Sequence, residues 1–139
     1  MLLLDNSAWS QLGQDHVADE RIQEVSEWMA RREIGVCMPF LLEAGYSAQS
    51  AADHREMMAK FDELPRIAID AEVERLAMRA QRELAEIGHH RLAPMDVIIA
   101  ACAHRAEAGV LHYDGDYDVL VERTTLEFES VWLSPPGSL

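Results

Sequence analysis

The sequence has few cysteines and no long apolar run, and both absences limit what kind of protein it encodes. Cys37 and Cys102 form no CxxC pair and no cluster with histidine, so we interpret them as reduced and buried. The longest apolar stretch, residues 97–103, is far shorter than the roughly 20 residues that cross a bilayer, so we expect no membrane-spanning segment. Asp5 interrupts the apolar start of the chain, which leaves no hydrophobic region of a secretory signal. We therefore expect a cytoplasmic protein.

Positive charge is also scarce. Lysine and arginine together number 12 against 25 aspartates and glutamates, which gives a net charge of −13. Proteins that bind nucleic acid usually present a basic face, so this balance taken alone argues against such a partner. Two facts weaken the objection: bound divalent cations neutralise a cluster of carboxylates, and an acidic surface suits a basic protein partner.

The length and composition indicate one ordered domain. With 139 residues, of which 49% are hydrophobic and 27% charged, the chain can bury a core without a disulfide or a structural metal. Only the last six residues, SPPGSL at 134–139, have the composition of a tail. We predict a domain over residues 1–133 followed by that tail.

Short apolar runs alternate along the chain with segments long enough for helices. The runs that we predict to be strands are residues 2–4, 34–37, 66–69, 110–113 and 128–133. Asp70 and Gly88 mark the start and the end of the clearest helix, and Pro39 and Pro94 each favour a first helical turn. Strands that alternate with helices imply right-handed crossovers. We therefore predict a three-layer α/β/α fold with a mainly parallel central sheet of about five strands.

Four acidic residues stand where this fold brings ligands together. Asp5 and Asp114 end the first and fourth predicted strands, and Glu43 and Asp96 lie near the starts of two predicted helices. Because ligands collect at the carboxyl ends of parallel strands, we expect all four side chains at one edge of the sheet. A single acidic residue among 25 is usually a solvated surface group, so the inference depends on these positions.

A cluster of carboxylates has a definite chemical use. Carboxylates in one cleft repel each other and lose hydration, so such a cluster binds a cation or keeps one acid protonated. Oxygen ligands select Mg²⁺ or Mn²⁺, which bind through few carboxylates together with substrate phosphates. Such ions activate water and stabilise the leaving oxygen, which suits cleavage of a phosphodiester. Helix N-termini near Pro39 and Pro94 would add favourable dipoles for an anion.

Four segments in order resemble the successive motifs of PIN-domain nucleases. They are DNSA at 5–8, PFLLE at 39–43, DVIIAA at 96–101 and HYDGDYD at 112–118, and together they run along nearly the whole chain. Spacing and length are most similar to VapC toxins of bacterial toxin–antitoxin pairs. The resemblance implies a Mg²⁺- or Mn²⁺-dependent endoribonuclease that cleaves transfer or ribosomal RNA. It also implies a homodimer that a VapB-type antitoxin keeps inactive.

Carried over residue by residue, the resemblance implies an acidic quartet that holds metal and performs catalysis. Its members are Asp5, Glu43, Asp96 and Asp114. Asp5 and Asp96 are implied as the direct metal ligands, Asp116 as an auxiliary acid, and Ser7 as a hydroxyl that holds a carboxylate or water in place. Asn6 and Gly115 depart from the residues common in the family, which bears on substrate contacts and not on the metal cluster.

Other functions fit the sequence less well. A phosphatase would have a phosphate-binding glycine-rich loop or a DxDx motif after the first strand, and neither is present. Residues 114–118 begin like a calcium-binding EF-hand loop, but Val119 and Thr125 stand where that loop needs glycine and glutamate. The remaining alternative is a non-catalytic PIN-like binding module that pairs with a basic protein partner, which the negative charge also fits.

Overall fold

Helices and strands alternate along the chain in the computed structural model, which describes residues 1–139. The strands are β1 (Leu2–Leu4), β2 (Ile34–Gly35), β3 (Gly109–His112) and β4 (Ser130–Trp132). The helices are α1 (Asn6–Leu12), α2 (Asp19–Ala30), α3 (Met38–Tyr46), α4 (Ala51–Phe61), α5 (Ala71–Glu86), α6 (Pro94–Ala106) and α7 (Asp116–Arg123).

The four strands form one parallel sheet in the order β2-β1-β3-β4. The chain leaves β1 toward β2 on one side and leaves β3 toward β4 on the other. In open α/β sheets the crevice between two such strands is the usual place for a ligand. The carboxyl ends of β1 and β3 are therefore the edge where a site is expected. Helices flank the sheet, so the predicted α/β/α class is confirmed.

The sheet has four strands and not the predicted five, because residues 66–69 form only an isolated parallel bridge between Val36 and Arg66. Two backbone hydrogen bonds make this bridge: Val36 N–H donates to Pro65 at 2.9 Å, and Ile67 N–H donates to Val36 at 2.9 Å. Strand β2 is two residues long and α3 begins at Met38. No strand remains opposite residues 66–69 for the pairing to continue.

Several helix ends agree with the sequence. Asp70 caps α5 by accepting a hydrogen bond from Val73 N–H at 2.9 Å, and the helix ends just before Gly88, whose φ of +76° suits glycine. Pro39 and Pro94 lie in the first turns of α3 and α6. No helix is both long enough and apolar enough to span a bilayer.

Helix α6 lies in the core. Its buried residues include Ile99, Ala100 and Cys102, which pack in a cluster of 29 buried hydrophobic side chains. Cys37 and Cys102 are both free and buried, so their predicted burial is confirmed. Because the middle of the helix is enclosed from its first turn onward, the carboxylate of Asp96 in that turn is buried as well, with 6% of the residue exposed.

The last six residues fold back on the domain. The N–H of Leu139 donates to the hydroxyl of Tyr113 at 2.8 Å, and the Leu139 side chain packs against the core. The predicted boundary at residue 133 therefore separates two segments that are in contact.

Candidate active site

Asp5 connects the end of β1 to the start of α1. It is 3% exposed, and its extended backbone (φ −102°, ψ 151°) makes it the N-cap of the helix. The Oδ2 atom of Asp5 accepts hydrogen bonds from the N–H and the hydroxyl of Ser7, at 3.0 and 2.5 Å. The Ser7 hydroxyl in turn accepts from Tyr113 N–H at 2.9 Å. Ser7 therefore fixes the Asp5 carboxylate against the end of the neighbouring strand β3.

Three carboxylates converge beside Asp5. Asp96 lies in the first turn of α6, Asp114 follows β3, and Asp116 begins α7. One oxygen from each lies within 4.8 Å of the others, a spacing that fits a single metal ion. The turn that carries Asp114 and Asp116 is held by a 3.0 Å hydrogen bond from Asp116 N–H to Asp114 Oδ1.

The electrostatics tie the acids into one cluster. Burial, followed by the charges of Asp5, Asp114 and the other acids, raises the pKa of Asp96 to about 8. Burial and then the charge of Asp5 raise the pKa of Glu43, and burial and then the charge of Asp114 raise the pKa of Asp116. At neutral pH and without a cation, the Asp96 carboxyl therefore keeps a proton, as expected when like charges share a poorly hydrated site.

Tyr117 is a site residue that the sequence reasoning missed. Its side chain is fully buried, and its hydroxyl lies 2.7 Å from Oδ1 of Asp5 and 3.4 Å from Oδ1 of Asp96. Burial and then the charge of Asp5 raise the pKa of this phenol well above its usual value, so it stays protonated and donates. One signal was available: a tyrosine at a core-facing position of α7 needs a partner for its hydroxyl.

A buried hydrogen-bond chain holds the backbone beside the cluster. His112 Nδ1 accepts from Asp114 N–H at 3.1 Å, so its proton resides on Nε2, 2.6 Å from the Ser130 hydroxyl. Ser130 donates to Asp118 at 2.6 Å, and the Trp132 indole N–H donates to the other Asp118 oxygen at 2.9 Å. Burial lowers the pKa of His112, which keeps the imidazole neutral as this chain requires. His112 therefore positions Asp114 through the backbone.

The cleft opens beside Glu43 onto an apolar hollow. This hollow has a volume of about 430 Å³ and is lined by Asn6, Leu42, Glu43, Tyr46 and Met95. One of these lining residues, Tyr46, is 93% exposed. A substrate that reaches the carboxylates from this side meets aromatic and aliphatic groups and not a basic surface.

A model of the PIN domain matches residues 2–122 of the chain. The chain belongs to the PIN domain family. Ribonuclease VapC18 of Mycobacterium tuberculosis (strain ATCC 25618 / H37Rv) is 36% identical to it over 139 residues, which cover 98% of this chain and 97% of that protein. This similarity places the chain among the VapC proteins of the PIN domain family. Ribonuclease VapC11 of the same organism is 28% identical over 133 residues, with 94% of this chain and 98% of that one covered.

Solved structures show the same PIN domain fold. A DNA-bound VapBC from Salmonella typhimurium superposes with a TM-score of 0.72 at 20% identity, covering 96% of this chain and 100% of that one. VapBC2 from Rickettsia felis, bound to a DNA fragment from its promoter, gives a TM-score of 0.71 at 16% identity and covers 94% and 98%. The family resemblance and the fold class expected from the sequence are confirmed.

In this PIN domain, only two of the four predicted acidic residues belong to the three-carboxylate group. Asp96 and Asp114 belong to the three-carboxylate group with Asp116, whereas Asp5 and Glu43 lie outside it. Asp5 is joined to Asp96 through the Tyr117 hydroxyl, and Glu43 lies half-buried in α3, within reach of the Asp5 charge.

Proposed function

We propose that this PIN domain protein is a metal-dependent endoribonuclease, the toxin of a VapBC-type toxin–antitoxin system. The observation that carries the proposal is the convergence of three carboxylates within 4.8 Å at the crevice between β1 and β3. The ribonuclease relatives support the substrate, because one of them is 36% identical along nearly the full length.

The residues assigned to the reaction follow from the cluster. They are Asp5, Glu43, Asp96 and Asp114, with Asp116 and Ser7 as auxiliaries. The convergent carboxylates would hold Mg²⁺ or Mn²⁺, since hard cations prefer oxygen ligands. The raised pKa of Asp96 reflects burial and then repulsion by the neighbouring carboxylates, and a bound cation offsets both effects. When bound, such an ion lowers the pKa of a water molecule and neutralises charge on the phosphate.

The side chains of the site would position the metal and the attacking water. Ser7 and Tyr117 hold both oxygens of Asp5, which we assign as a ligand next to Asp96. Glu43, half-buried with a raised pKa, would bind the ion or orient the attacking water. Both roles require a carboxylate in a fixed place, because a nucleophile must be held near the phosphorus before it reacts.

The proposal extends to partners and location. A VapB-type antitoxin would bind this chain, and a basic antitoxin side chain entering the cleft would meet the carboxylates and replace the metal. VapBC complexes among the structural relatives support such a partner. We also propose a homodimer that works in the cytoplasm on transfer or ribosomal RNA, with residues 1–133 as the catalytic domain.

The experiment that tests the function is cleavage of total bacterial RNA by the purified protein with Mg²⁺, with Mn²⁺ and with EDTA. Asp96→Asn removes a buried carboxylate of the cluster, and Asp15→Asn, at an exposed position, is the matched control. We expect discrete fragments that require metal, are lost in Asp96→Asn and persist in Asp15→Asn. RNA that stays intact under every condition would favour the non-catalytic module that binds a basic partner.

A further inference from the structure

The hydroxyl of Tyr117 occupies the gap between two carboxylates of the cluster. It lies 2.7 Å from Oδ1 of Asp5 and 3.4 Å from Oδ1 of Asp96. Tyr117 has no solvent exposure, and both aspartates are buried, so no bulk water competes for these oxygens. A phenol carries one proton, and the shorter distance assigns it to Asp5.

The ring that carries this hydroxyl has little freedom to move. It stacks at 30° on the imidazole of His112, with centroids 4.8 Å apart, and meets Phe128 edge-on at 6.4 Å. His112 is itself held by Asp114 N–H and by Ser130. The hydroxyl position is therefore set by packing that does not depend on the carboxylates.

Asp5 is held from two sides by separate elements. Ser7, in α1, donates its N–H and its hydroxyl to Oδ2, and Tyr117, in α7, donates to Oδ1. The Ser7 bonds reach only Oδ2. The Tyr117 bond holds the second oxygen, Oδ1, from a hydroxyl that also lies beside Oδ1 of Asp96.

We infer that the Tyr117 hydroxyl is a positioning group for the metal site: it fixes the Asp5 carboxylate relative to Asp96 so that both can serve one divalent cation. The inference deepens the proposed function and rests on it, because it concerns the same site. Groups that orient a metal ligand in this way typically affect metal affinity or activity by about ten- to a hundredfold.

The test is the Tyr117→Phe variant, which removes one oxygen atom and keeps the ring. Mn²⁺ binding to the full chain is measured by titration calorimetry, and RNA cleavage is measured across Mn²⁺ concentrations. We expect the Kd for Mn²⁺ to rise about tenfold or more. We also expect the cleavage rate to recover at high Mn²⁺, with the KM for RNA unchanged.

Tyr113→Phe is the matched control, because the Tyr113 hydroxyl accepts from Leu139 N–H and faces no carboxylate of the cluster. Its Kd should stay within about twofold of the wild type. Ser7→Ala supplies a second variant. Since Ser7 and Tyr117 hold the same carboxylate, the double variant should weaken Mn²⁺ binding by less than the product of the two single effects.

The outcomes separate this inference from the proposed function. A wild-type protein that neither binds Mn²⁺ nor cleaves RNA overturns the proposed function and the inference with it. A wild type that does both, beside a Tyr117→Phe variant of unchanged Mn²⁺ affinity, overturns the inference alone. A Tyr117→Phe variant that fails to fold also overturns it, because the hydroxyl would then serve the core and not the metal site.

Discussion

Metal binding should release a proton from Asp96, and the pKa of about 8 fixes how much. At pH 7 a group with that pKa is about 90% protonated, so each bound ion displaces about 0.9 of a proton. Between pH 6 and 7 the apparent affinity for Mg²⁺ should rise about ninefold, and it should level off above pH 8. The perturbation is pH alone, with no change in sequence.

The assay is calorimetric titration of the apo protein with Mg²⁺ at pH 6, 7 and 8, in two buffers of different ionisation enthalpy. The difference in apparent heat between buffers gives the number of protons released. Zero release at pH 7 together with tight binding would refute the reasoning, because Asp96 would then be ionised before the metal arrives. The same pKa, raised above the value of about 3.8 in the unfolded chain, should make the apo protein lose stability as pH rises from about 4 to about 8.

Three further predictions concern the folded state without metal. The folded pKa of His112 lies below its unfolded value of about 6.5, so the stability that the neutral imidazole contributes is fully present above that pH and is lost as pH falls below it. Because Asp96 shifts stability the opposite way in this range, the loss is measured as a falling Tm of the Asp96→Asn variant in mild acid. Ser130→Ala removes the hydroxyl that connects His112 to Asp118 and should lower the free energy of unfolding in urea by on the order of 1–3 kcal/mol. A change near zero would mean that these hydrogen bonds add no stability. Asp70→Ala removes the N-cap of α5 and should lower the free energy of unfolding by about 1 kcal/mol. Asp70→Asn keeps an equally good N-cap residue, so the free energy of unfolding should change little in the same assay.

The part of the site that the sequence could predict is the part set by local order. Asp5 follows an apolar run, and Asp114 follows another. Parallel strands place both at one edge of the sheet whatever the details of packing. Asp96 was predictable for a similar reason, because Pro94 begins a helix and leaves the next residues in its first turn.

The features of the fold and the site that the sequence did not predict depend on contacts between residues far apart in the chain. Residues 66–69 have the composition of a strand, but their pairing ended because β2 is only two residues long. The hydrogen bond between Tyr117 and Asp5 spans 112 positions. The core-facing position of Tyr117 indicates that its hydroxyl has a partner, but no local pattern identifies Asp5 as that partner. The approach of Ser130 to His112 likewise follows from the register of β3 against β4, in which His112 pairs with Trp132.

The order of the strands has a consequence for folding. Asp5 lies at the end of β1, whereas Ser130, which completes the hydrogen-bond chain behind Asp114, lies in β4. That hydrogen-bond chain therefore forms only after β4 has paired with β3. A fragment that ends before β4 keeps the first carboxylate but lacks the support for Asp114.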